Sequence, residues 1–199
     1  VTQSAIERRF ISAHELRVLD TGTPRIEGYA ALFNSRSEDL GGFVEEIAPG
    51  AFANAIKSSD IRALWNHNEN YVLGRVRSGT LAVSEDARGL HIVNDPPDTQ
   101  WARDLMVSLR RGDVDQMSFG FIVAKGGATW REEGNTLVRT ITNVAEVRDV
   151  SPVTFPAYTD TSVAVRSLAE WRESPRFPAD WLAQIETFRR RHKQALTDL

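Results

Sequence analysis

The sequence contains no cysteine. Disulfides, a thiol nucleophile and cysteine-ligated metal sites are therefore excluded, which leaves covalent chemistry to serine, threonine or carboxylates. There is no apolar run of about 18 residues and no basic-then-apolar leader, so neither a membrane span nor a secretory signal is indicated. A soluble, intracellular protein is the expectation. Positive charge is not in excess either: the formal net charge is -3 and the isoelectric point is near 5.9. Nucleic acid or a membrane surface would call for a strongly basic face, so protein partners suit this balance better.

Other absences narrow the chemistry. The chain has no repeat of fixed period and no low-complexity tract. Gly41-Gly42 and Gly126-Gly127 lack the following lysine and serine or threonine of a phosphate loop, so nucleotide binding is not indicated. No His-x-x-x-His spacing links His67 or His91 to a second ligand, and no metal or other cofactor is expected. His14 and His192 lie among charged residues and need no role beyond solubility.

What remains is an ordinary globular composition: 199 residues, 41% hydrophobic and 26% charged, enough for one main domain with a sizeable core. Strands are expected within 7–19, at 25–33, 61–65, 72–76, 80–83, 89–93, 117–124 and 129–131, across 136–147, and at 150–155. A polar loop covers 34–42, and a short helix can start at Pro49-Gly50-Ala51-Phe52. Trp101, Leu105 and Leu109 recur at four-residue spacing after Asp95-Pro96-Pro97-Asp98-Thr99, which predicts a helix ending at Arg110-Arg111-Gly112 with its arginines complementing the helix dipole. Trp65 and Trp101 fall on apolar patterns and read as packing residues. Many short strands with glycine turns and two interspersed helices indicate a mainly β protein with some α, built as a closed or nearly closed β-barrel with peripheral helices. Near Arg166 the composition changes. Pro175 and Pro178 interrupt helix, and Trp181, Ile185 and Phe188 form a stripe in a further amphipathic helix, so residues 1–165 and 166–199 read as a domain and a C-terminal segment.

Taken by itself Ser118 is an ordinary strand serine, and a serine hydroxyl needs a base and a group that orients the base before it can act as a nucleophile. His67 stands where the apolar segment Leu64-Trp65 runs into a polar turn. Two carboxylates, Glu146 and Asp149, follow Ser118, giving the order histidine, serine, acid. In a regular strand the two carboxylates point to opposite faces, so only one of them can serve.

Five segments in order sharpen this reading: Gly28-Tyr29-Ala30-Ala31-Leu32-Phe33-Asn34; Pro49-Gly50-Ala51-Phe52; Trp65-Asn66-His67; Met117-Ser118-Phe119-Gly120-Phe121; and Asp149-Val150-Ser151-Pro152-Val153-Thr154-Phe155-Pro156-Ala157. Together, over roughly residues 28–165, they resemble the prohead maturation serine proteases of tailed bacteriophages, distant relatives of the herpesvirus assemblins. The resemblance implies an assemblin-like fold and a cofactor-free endopeptidase in which Ser118 is the nucleophile and His67 the base. Asp149, at the acidic position of the family's acid-Val-Ser motif, is the implied third member, with Glu146 its rival. Arg148 matches the arginine-bearing segment that assemblins use near the oxyanion, although an arginine in such a strand is more often a solvated face residue. The implied setting is the assembling prohead in the bacterial host cytoplasm. The implied substrates are the scaffold or the delta region of the major capsid protein and the protease itself, with residues 166–199 a targeting or self-cleaved tail, and self-association is possible. Two other classes fit the residues: a non-catalytic capsid-assembly module, and a hydrolase of non-peptide acyl groups, because a triad specifies acyl transfer and not its substrate.

Overall fold

The computed structural model describes residues 6–11, 16–20, 22–40, 42–134, 136–155 and 167–170. The chain divides into two units, Val1–Val165 and Arg166–Leu199, and the strands and helices that build the site belong to the first. The stripe of Trp181, Ile185 and Phe188, the boundary at Arg166, and His14 and His192 lie outside the described residues.

Among the described residues the elements run β1 (Glu7–Ile11), β2 (Arg17–Leu19), β3 (Arg25–Leu32), β4 (Val44–Ile47), α1 (Ala55–Ser58), β5 (Arg62–Trp65), β6 (Asn68–Arg75), β7 (Leu81–Glu85), β8 (Gly89–Asn94), α2 (Gln100–Arg111), β9 (Gln116–Val123), β10 (Ala128–Glu133), β11 (Thr136–Ile141) and β12 (Val144–Val153). They form a five-stranded sheet in the order β1-β9-β12-β5-β6, a four-stranded sheet β2-β3-β8-β7 and a three-stranded sheet β10-β11-β4. Pairing is antiparallel except for β12 with β5 and β11 with β4.

Among the described residues the expected mainly β architecture is present, but the closed or nearly closed barrel is not. A barrel needs every strand bonded on both sides with a consistent stagger. Each sheet instead ends in open edges, β1 and β6 in the largest, and bulges interrupt the β9–β12, β3–β8 and β5–β6 ladders. Two boundaries also differ from expectation, and one strand is additional. β6 begins at Asn68 rather than near Val72, the stretch expected as one strand over 136–147 breaks between β11 and β12, and β4 was not foreseen. The helix expected near Pro49 is confined to α1.

β9 shows how the chain separates core from site. Met117, Phe119 and Phe121 are completely buried on one face, where Phe119 stacks on Phe121 at 4.8 Å and meets Phe52 edge-on at 5.8 Å. Ser118 and Gly120 occupy the other face, as the two-residue period of a strand requires. α2 buries Ala102, Leu105, Met106 and Leu109. It stops at Gly112, whose φ of 77° is the left-handed conformation a glycine adopts without a Cβ clash, and whose N–H caps the carbonyls of Ser108 and Leu109.

Four charged side chains on the core side tie two sheets together: Glu7 and Arg9 of β1, Glu45 of β4 and Arg139 of β11, all between 2 and 6% exposed. Arg9 donates to Glu45 at 2.7 Å and to Glu7 at 2.6 Å, and Arg139 donates to both carboxylates at 2.8 Å. This network explains β4, which carries two consecutive glutamates. Glu45 turns inward because two guanidiniums wait there, while Glu46 accepts from Arg131 at 2.9 Å. Burial by itself would push the Glu7 carboxyl up; hydrogen bonds and charge from Arg139 and Arg9 outweigh it and hold the carboxyl below its ordinary value.

Removing one member leaves buried charge uncompensated. Arg139→Met should destabilise the fold by about 3–5 kcal/mol, read as a lower denaturation midpoint in urea. Because the Glu7 pKa is depressed in the folded state, its stabilisation is present above the unfolded carboxyl pKa and lost as pH falls through the folded value. Arg139→Met should therefore move acid unfolding to higher pH, which a pH titration followed by circular dichroism would register.

Candidate active site

β5 and β6 are joined by two residues, Asn66 and His67, with Trp65 paired to Asn68 across the turn. Both have positive φ, 54° and 55°, as a type I′ hairpin turn demands. Asparagine tolerates this conformation, but histidine does so at a cost of about 1–2 kcal/mol, so the turn must be held from outside. The other end of the hairpin is fixed by Asp60, whose carboxylate accepts from Arg75 Nε at 2.9 and 3.0 Å. Arg75 holds that carboxyl down to about 2.

From this turn the His67 ring reaches across β12 to β9. Its Nε2 lies 2.7 Å from Ser118 Oγ and its Nδ1 2.5 Å from Asp149 Oδ2. With Nδ1 carrying the proton toward the carboxylate, Nε2 is the acceptor for the serine hydroxyl. That tautomer lets the ring take a proton from Ser118 and be stabilised as imidazolium by Asp149. Ser118 is 1% exposed, and the His67 and Asp149 side chains are 9 and 10% exposed. In such surroundings these hydrogen bonds are stronger than they would be in water.

A bulge in β12 decides which carboxylate is available. Val147 pairs with Phe121 and Asp149 with Gly120, so Arg148 is the extra residue and the alternation of faces resets. Glu146, paired with Ile122, consequently shares the Ser118 face with Asp149 instead of opposing it. It lies a further strand pair from Ser118 and takes an ion pair with Arg148 at 3.1 Å, both side chains being about half exposed. The opposite-face expectation thus fails because the strand is irregular, and distance along β12 separates the two acids instead.

Two residues that sequence reasoning passed over shape the acid. Ser151, fully buried, donates to Asp149 Oδ2 at 2.6 Å. Asp149 Oδ1 lies only 2.5 Å from where a Cβ on Gly120 would stand, so the carboxylate occupies the space that glycine leaves free. The Ser118-Phe119-Gly120 and Asp149-Val150-Ser151 spacings carried both as a signal. Each i, i+2 pair shares a strand face, and the register matches Ser118 with Ser151 and Gly120 with Asp149.

Residues singled out elsewhere are not drawn into this cluster. His91 is in the four-stranded sheet and contacts Glu27 at 3.1 Å. Trp65 and Trp101 are partly buried against the core and linked through Tyr71, with ring centroids 5.7 and 5.2 Å apart. Arg110 pairs with Asp20 at 2.5 Å and Arg111 with Asp113 at 3.0 Å, which accounts for the basic helix end. A cavity of about 260 Å³, lined by Arg9, Arg36, Glu38, Asp39, Glu46 and Phe119 among others, includes none of His67, Ser118 or Asp149. Phe119 lines it from the core side of β9, behind the serine.

These contacts lead to two expected effects on the labelling of Ser118 by a serine-directed reagent. Gly120→Ala should displace the Asp149 carboxylate and slow reaction of Ser118 by about 100-fold, the loss typical of a misplacement near 1 Å. Ser151→Ala, which removes one donor and adds no bulk, should cost about tenfold. Rates of covalent labelling at Ser118, compared with thermal midpoints that stay close to wild type for Ser151→Ala, check both.

Comparison with known proteins gives the geometry its context. Residues 12–174 match the profile of the caudovirus prohead serine proteases. The chain is 30% identical over 177 residues to the prohead protease of Enterobacteria phage HK97, covering 86% of this chain and 74% of that protein. No solved structure matches. The profile match takes in most of the sequence, including both strands and the turn that bring His67, Ser118 and Asp149 together, and the chain belongs to the caudovirus prohead serine protease family.

Proposed function

We propose that this serine peptidase is the endopeptidase of prohead maturation and that Ser118, His67 and Asp149 carry its chemistry. The observation behind the assignment is the continuous relay Ser118 Oγ, His67 Nε2, His67 Nδ1, Asp149 Oδ2, with links of 2.7 and 2.5 Å. In the first step His67 Nε2 takes the Ser118 proton as Oγ bonds to the scissile carbonyl carbon. The imidazolium then gives that proton to the departing amine as the C–N bond breaks, leaving an ester on Ser118. Water, deprotonated by the same nitrogen, cleaves the ester and restores the serine. Asp149 keeps the proton on Nδ1 and stabilises the imidazolium in both steps.

Family membership supports a polypeptide substrate met during capsid assembly: the scaffold or the delta region of the major capsid protein, inside the prohead in the host cytoplasm. The protease domain is 1–165 and the segment 166–199 a targeting or self-cleaved tail, a division motivated by the composition change near Arg166. Self-association and distant structural kinship with the assemblins belong to the same proposal. Since Ser118 is enclosed, substrate binding includes a step that uncovers it.

A serine-directed fluorophosphonate should label the purified chain at Ser118, mapped by peptide mass spectrometry, and Ser118→Ala and His67→Ala should abolish labelling. Asp149→Asn should slow it by about 10⁴-fold through the wrong tautomer, whereas Glu146→Gln should leave it near wild type. A folded protein that resists labelling, also as an oligomer, would point to a capsid-assembly module instead. Faster turnover of small esters than of any capsid or scaffold peptide would favour a non-peptide substrate. Mass spectrometry of the incubated chain should show loss of C-terminal residues, and an active enzyme with an intact C-terminus would remove self-cleavage from the proposal.

A further inference from the structure

The His67 turn is held from one side by β12. β5 runs parallel to β12 through the pairs Asp149 with Arg62 and Val150 with Ala63. The ladder continues beyond the strand end, because the Asn66 N–H donates to the Pro152 carbonyl at 3.0 Å. In a regular parallel ladder the next bond would run from the Thr154 N–H to the Asn66 main-chain carbonyl. The chain has already entered its left-handed turn, and the Thr154 N–H instead donates to the side-chain Oδ1 of Asn66 at 2.8 Å. The Asn66 amide group then donates to Thr154 Oγ1 at 3.3 Å.

We propose that Asn66 is a positioning residue of the active site: its side-chain carbonyl replaces the missing rung of the β5–β12 ladder and so fixes the backbone from which His67 spans Asp149 and Ser118. The inference rests on the catalytic roles proposed above. Two demands meet at this position. The residue must accept a positive φ, and it must place a carbonyl-type oxygen one bond beyond Cβ. Glycine meets the first demand only, alanine neither, and aspartate both. β12 and the residue that follows it therefore hold the histidine twice, by its ring through Asp149 and by its backbone through Pro152 and Thr154.

The substitutions separate the side-chain bond from backbone permissiveness. Asn66→Gly keeps a favourable turn and loses the rung. With the full-length chain, the fluorophosphonate labelling rate of Ser118 should fall by about 30–100-fold while the thermal midpoint stays within a few degrees of wild type. Asn66→Asp, which keeps a carbonyl-type acceptor for the Thr154 N–H, should label within about threefold of wild type. Wild-type labelling by Asn66→Gly, or labelling by Asn66→Asp as slow as by Asn66→Gly, would overturn the positioning role. Absence of labelling at Ser118 in the unsubstituted protein would overturn the catalytic assignment itself, and this inference with it.

Discussion

Everything around the site depends on how β12 pairs with its two neighbours. Its antiparallel register with β9 sets Ser151 against Ser118 and Asp149 against Gly120, and its parallel register with β5 brings the His67 turn alongside Pro152 and Thr154. A slip of one residue would turn Asp149 toward the core and Val150 toward His67, because side chains alternate along a strand. Complete burial of Val150 and Phe119 opposes such a slip. The energy that secures the register is therefore hydrophobic and lies on the face opposite the chemistry.

Strain and charge are managed around that frame. The left-handed backbone of His67 has a local cost, and neighbouring contacts offset it: the Asn66 bonds to β12, the ion pair of Asp60 with Arg75, and the ring's own bonds to Asp149 and Ser118. Behind β9 the paired charges of Glu7, Arg9, Glu45 and Arg139 join β1 to β4 and β11 without leaving a net buried charge. A buried network of this kind adds little net stability compared with apolar packing, yet is costly to break in part. Its contribution is to fix which sheets meet behind the serine.

Bulges account for two of the differences between expectation and structure. The extra residue at Arg148 changed the face of Glu146, and irregular pairing between Leu64, Trp65 and β6 let that strand begin at Asn68, next to His67. Neither leaves a period in the sequence, since a bulge is defined by the partner strand's residue count. β4 has a related origin: Val44-Glu45-Glu46-Ile47 carries adjacent charges, and Glu45 can be buried only because guanidiniums that neutralise it are brought from residues 9 and 139.

By itself the sequence determined the chemistry open to the protein and the local order along it. Without cysteine, a thiol nucleophile was excluded. Strict alternation in Met117-Ser118-Phe119-Gly120-Phe121 made a strand with a serine on its non-core face, and the spacing of Trp101, Leu105 and Leu109 made α2. These are properties of periods and residue types, which a single chain displays. Tertiary structure alone decided that the sheets stay open, that Asp149 and not Glu146 lies within reach of His67, and that Gly120, Ser151 and Asn66 surround the relay. Each of those depends on register between strands separated by tens of residues, and register is set by packing and bulges that come into being only when the strands pair.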